Sequence, residues 1–174
     1  MSKTRKLVYF SLFVTLATAL GFLETLLSNP LPLPGVKLGL ANIVTLLVLY
    51  LYGLKEGLVV SLFRVLFVSL LGGTFLAVGF WLSFSGAVLS TLVMAGLIKY
   101  VSALSIIGVS MAGAVSHNVG QLLAASFLIQ TPYIFYYLPF LLLAGIPTGL
   151  VTGYLARLLL RYFQGKDFLI INEK

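Results

Sequence analysis

The chain contains no cysteine, which excludes a disulfide framework and any thiolate metal site. Charge is also scarce. Asp, Glu, Lys and Arg make up 9% of the 174 residues, against roughly 25% in an ordinary soluble domain. There is one aspartate, Asp167, and one histidine, His117. No glycine-rich P-loop ending in Lys-Ser or Lys-Thr occurs, so the chain cannot hydrolyse ATP alone. No serine, histidine and acid set reads as a catalytic triad.

Apolar residues fill the gap. They make up 60% of the chain, and the mean hydropathy is +1.13. So few charges cannot cover a water-soluble fold of this size, so the bilayer is the expected solvent. A hydrocarbon core of roughly 30 Å needs about 20 apolar residues per helix. The expected fold is therefore an all-α integral membrane protein, a single domain over residues 1–174 with about six transmembrane helices. The net charge of +7 does not point to nucleic acid, because the basic residues sit at span ends and form no stripe. A basic stretch (Lys3, Arg5, Lys6) precedes the first apolar run, as in a signal peptide. That run is about a full span long and no small-residue cleavage site follows it, so it reads as a retained helix.

Six helices are expected over Leu7–Leu27, Leu38–Tyr52, Leu58–Leu71, Phe75–Ile98, Leu104–Ile129 and Leu138–Phe163. The first break, Ser28–Lys37, carries Pro30, Pro32, Pro34 and Gly35 and favours an extended, stiff loop. Lys55 and Glu56 mark a tight turn. Gln130, Thr131 and Pro132 break the fifth helix, and an aromatic group (Tyr133, Phe135, Tyr136, Tyr137) follows. With the N-terminus inside, Lys3, Arg5, Lys6, Lys55, Lys99, Arg157, Arg161, Lys166 and Lys174 face the cytoplasm, and Lys37 alone faces out. That bias predicts a multi-pass protein of the cell membrane with both termini cytoplasmic.

A charged residue inside a span costs about 2.5–3.5 kcal/mol on insertion scales, so each needs a reason. Glu24 lies near the outer end of the first helix, Arg64 near the middle of the third, and Asn42 in the outer part of the second, with Lys37 at its entrance. In the fifth helix His117, Asn118 and Gln121 share a face by helical spacing, with Gly113 and Gly120 alongside. Common depth predicts that Glu24, Lys37, Asn42, His117, Asn118 and Gln121 line one outward pocket, with Arg64 at its floor. The competing readings are a snorkelling Glu24–Lys37 pair, a structural Arg64, and polar side chains that glue helices together. In the first helix Ser11, Thr15 and Ala19 form one small-residue face, and Ala17 and Gly21 another. Both suit close helix packing, either within the chain or on a partner.

The stretch from Pro34 to Thr45 (Pro-Gly-Val-Lys-Leu-Gly-Leu-Ala-Asn-Ile-Val-Thr), with Glu24 before it and Ser116-His-Asn-Val-Gly-Gln121 after it, resembles one membrane family. That family carries two labels, Gx transporter and heptaprenyl diphosphate synthase component I. It is similar to the substrate-binding S-components of energy-coupling-factor (ECF) transporters. The resemblance implies a six-helix fold, an outer pocket for a small-molecule substrate and a gating first loop. It also implies docking of the first helix on a coupling subunit driven by cytoplasmic ATPases. S-components commonly carry an Ala-x-x-x-Ala pattern there; this chain has Ala17-x-x-x-Gly21 and Ser11-x-x-x-Thr15-x-x-x-Ala19 instead.

The second label implies part of a prenyl diphosphate synthase. Chain elongation of that kind needs magnesium on aspartate-rich motifs. The lone Asp167 sits in the tail, so no catalytic residue, metal site or cofactor is expected. The leading expectation is a solute-binding subunit of an importer for a vitamin-like or prenyl/quinone-precursor solute. The alternatives are a non-catalytic membrane component of the synthase and a proton-coupled carrier using Glu24 and His117.

Overall fold

The computed structural model describes residues 3–28 and 39–164. The expected proline loop with Lys37, and the polar tail, lie outside the described residues. Within them the regular elements are six α-helices: α1 (Lys3–Ser28), α2 (Leu40–Tyr52), α3 (Leu54–Leu71), α4 (Val78–Tyr100), α5 (Ile106–Ile129) and α6 (Leu138–Gln164). The aromatic group after α5 forms a 3₁₀ turn, Pro132–Tyr137.

Four of these elements, α1, α4, α5 and α6 with its preceding turn, are long and apolar enough to cross a membrane. Their outer faces carry exposed Leu12, Leu16, Leu92, Phe127, Leu143 and Leu150. Apolar surface on that scale needs lipid rather than water as its neighbour. The chain is thus a membrane protein by the length and composition of its helices.

α2 differs. Its sequence, LANIVTLLVLYLY, is apolar around the whole circumference, as suits a helix with no solvent face. It packs against α1, α3, α4 and α6. Val44, Leu46, Leu47 and Val48 are at most 2% exposed and centre the core with Phe13, Val60, Met94 and Val109. With 13 residues, α2 is about 20 Å long, short of a core of roughly 30 Å. Its first turn begins at mid-depth: a methyl group on Gly39 would lie 3.5 Å from Thr152, in the middle of α6. The length that α2 lacks leaves room for a cavity above its N-terminus.

The helices alternate in direction, and two joins depart from expectation. Lys55 and Glu56 do not form the α2–α3 turn. Gly53 makes it alone at φ 93°, a conformation that a side chain would strain, and its N–H donates to the Val48 and Leu49 carbonyls. Lys55 and Glu56 fall in the first turn of α3, where a carboxylate suits the helix N-terminus, and Glu56 pairs with Lys6 of α1 at 2.7 Å. The fourth helix starts at Val78 rather than Phe75, because Gly73 and Leu76 adopt positive φ between α3 and α4.

Close backbone approaches hold the second half together. A methyl group on Gly120 of α5 would meet Gly86 Cα and the Ser85 carbonyl of α4 at 2.9 Å. Ser85 Oγ donates to the Gly120 carbonyl at 2.9 Å across the same contact. On α6, Gly145, Gly149 and Gly153 recur every fourth residue and face α5; a methyl group on Gly149 would lie 2.7 Å from Met111 Cα. Such small-residue stripes let transmembrane helices approach without a hydrophobic driving force. Ser110 and Thr152 hydroxyls, 2.9 Å apart, bridge the same interface.

Candidate functional site

One cavity of about 490 Å³ lies at the end of the bundle where α1 finishes and α2 begins. That size falls within the usual range for small-molecule sites, about 300–1,000 Å³. Its walls come from the last turns of α1, the start of α2, the second half of α3, the start of α4 and the middles of α5 and α6. It reaches the surface beside Leu71, Gly72 and Gly79, which are exposed. The basic residues Lys6, Lys55, Lys99 and Arg161 belong to the opposite helix ends.

Glu24 reaches the cavity from α1 and is 3% exposed. Its Oε1 accepts the backbone N–H of Gly39, so the carboxylate holds the residue that opens α2. Gly39 adopts φ 76°, and its carbonyl accepts the Asn42 N–H at 2.9 Å, starting the helix. Asn42 projects into the same space and its Oδ1 accepts from Arg64 Nη1 at 3.2 Å. Arg64, 8% exposed, crosses from α3. Its Nε is buried and has no hydrogen-bond partner. No salt bridge joins Arg64 to Glu24 among the described residues, although both line the cavity.

His117 and Asn118 enter from α5, 7% and 8% exposed. Asn118 Nδ2 donates to the Leu141 carbonyl of α6 at 2.8 Å, which fixes its amide and ties α5 to α6. Between these polar groups the walls are apolar: Phe22, Val65, Val68 and Phe80.

Five of the expected site residues, Glu24, Asn42, Arg64, His117 and Asn118, therefore meet at one cavity. Gln121 does not line it. It is 5% exposed and packs beside Gly86 of α4, whose added methyl would meet Gln121 Cγ at 3.0 Å. Lys37 lies outside the described residues. The two small-residue faces of α1 also part company. Ala17 is fully buried in the core, and Gly21 lines the cavity, where its missing side chain makes room for Val68 and Arg64. That pair packs within the chain rather than facing a partner. Ser11, Thr15 and Ala19 face outward, exposed. The hydroxyls of Ser11 and Thr15 donate to the Leu7 and Ser11 carbonyls, so the outer face carries no unmet donor.

Sequence reasoning missed the hydroxyls that complete the lining: Thr25, Ser69, Thr74, Ser83 and Thr148. Hydroxyls are cheap in spans because they bond back to their own helix, as Thr25 and Ser69 do to the Phe22 and Leu66 carbonyls. Their presence in an apolar run therefore marks nothing. Among the described residues no three of His, Asp and Glu gather to hold a metal ion.

The family model for heptaprenyl diphosphate synthase component I matches residues 13–159. The chain belongs to that family. Every residue lining the cavity, from Gly21 to Thr148, falls within the match. The family description associates its members, as component I, with a heptaprenyl diphosphate synthase. No curated protein and no solved structure matches the chain.

Proposed function

We propose that this component I family member is a substrate-binding membrane subunit, similar to an ECF S-component, of an importer for a small vitamin-like or prenyl/quinone-precursor solute. The observation that carries the reading is convergence. The buried Glu24, Arg64, His117 and Asn118 and the half-buried Asn42 bring polar side chains from α1, α2, α3 and α5 to one cavity, with Asn118 also tying α5 to α6. In this reading α2 and α3 complete six spans, the basic helix ends and both termini lie in the cytoplasm, and the cavity opens outward. The exposed Ser11, Thr15 and Ala19 face of α1 docks the coupling subunit, which cytoplasmic ATPases drive. In this reading the chain does not itself elongate prenyl chains, since its four carboxylates include no aspartate-rich set to hold magnesium.

The family description favours a second reading, a non-catalytic membrane component of a heptaprenyl diphosphate synthase. Affinity purification of the full chain from its native membrane separates the two. Recovery of a membrane coupling subunit with ATPases is the expected result. Recovery of a soluble prenyl synthase without ATPases establishes the second reading instead.

A further inference from the structure

A second hollow lies at the basic end of the bundle, away from the cavity. It is an open groove of about 460 Å³ between α1 and α3. Lys6, Leu7 and Phe10 form one wall, and Lys55, Glu56 and Val59 form the other. The two helices pack against each other and run the same way, so their walls match in register. On each, a lysine stands near the start and an apolar side chain, Phe10 or Val59, follows four residues later, about 6 Å further along the helix axis. Leu7 and Val59 are exposed, and Phe10 is half-buried. Glu56 holds Lys6 at 2.7 Å. Lys55 is exposed and forms no ion pair among the described residues.

The rim is cationic. Among the described residues this end of the bundle carries Lys6, Lys55, Lys99 and Arg161 against one carboxylate, Glu56. Lys3 and Arg5, next to the groove in sequence, add positive charge, and residues 165–174 hold two lysines against one aspartate and one glutamate. A free soluble anion would leave Leu7, Phe10 and Val59 bare, and a neutral lipid would leave Lys55 unanswered. An amphiphile with an anionic head answers both. We propose that the groove between α1 and α3 seats an anionic phospholipid, its phosphate on Lys55 and Lys6 and one acyl chain along Leu7, Phe10 and Val59. Lys6 already shares its charge with Glu56, so Lys55 carries most of the selection for the anionic head.

Native mass spectrometry of the purified full chain in a neutral detergent tests this. Phosphatidylglycerol and phosphatidylcholine with identical acyl chains are added in equal amounts, and the lipid adducts are compared. Phosphatidylglycerol is expected to be favoured about five-fold or more, and Lys55→Ala to remove about five-fold of that preference. Lys99→Ala removes the same charge from the same end of the bundle, at the last turn of α4 and outside the groove, and is expected to leave the preference unchanged. Val59→Trp fills the groove without touching a charge and is expected to lower the phosphatidylglycerol adduct. Equal adducts of the two lipids would overturn the proposal. So would equal losses in Lys55→Ala and Lys99→Ala, which would mean diffuse attraction to a basic surface, or no effect of Val59→Trp. A dimer that Val59→Trp dissolves would put a second copy of the chain in the groove and overturn it as well.

Discussion

Arg64 shows how a single residue announces a site in a membrane chain. A guanidinium within a span is costly, so its neighbours must answer it. Asn42 does so directly, and Glu24 balances its charge across the cavity. Arg64→Leu removes that balance and strips Asn42 Oδ1 of its partner. The expected loss is about 1–3 kcal/mol of folded-state stability, more where the Glu24 carboxylate is left uncompensated. Adding Glu24→Gln to Arg64→Leu is expected to recover most of the loss, measured as folded yield and detergent melting temperature. If the double variant is no more stable than Arg64→Leu, the two charges are not coupled. The same cost argument made Glu24, Asn42, His117 and Asn118 legible from the sequence. It misplaced Gln121, because helical spacing puts that residue on the His117 face without saying which neighbour the face meets one turn further out. Both His117 and Gln121 meet Gly86 of α4, and only His117 also reaches the cavity.

At the scale of the helix, length carried more information than pattern. The second apolar run, Leu38–Tyr52, was visibly the shorter kind in the sequence, and the cavity lies at the N-terminus of the helix it forms. The first helix advertised two small-residue faces with no way to rank them. Burial separates them, with Ala17 and Gly21 inside and Ser11, Thr15 and Ala19 outside. The glycine stripe of α6 went unread because glycines are frequent in transmembrane helices and only close backbone approach distinguishes a contact from a coincidence. That contact is testable. Gly149→Leu drives a side chain into the α5 backbone near Met111 and is expected to cost about 1–3 kcal/mol or more. Gly96→Ala, on α4 with nothing within 4 Å of an added methyl, is expected to shift stability by no more than about 0.5 kcal/mol. Equal effects in a detergent melt would mean that the α5–α6 interface is looser than described.

The whole molecule is polarised. Basic side chains mark one end of the bundle, including the Lys6–Glu56 pair, and the cavity occupies the other. The helical membrane fold followed from composition alone, since no other architecture hides so much apolar surface with so little charge. Which helices touch which did not follow, because hydropathy fixes depth but not rotation. The central claim is that this polarity sets a solute cavity facing outward from a cell whose cytoplasm holds the basic end. The absence of cysteine makes one measurement direct. Ser69, on α3, lines the cavity. In intact cells, Ser69→Cys is expected to react with a small membrane-impermeant thiol reagent added outside, while Lys55→Cys at the basic end reacts only after permeabilisation. Labelling of Lys55→Cys in intact cells, with Ser69→Cys reached only from the cytoplasmic side, would contradict the account.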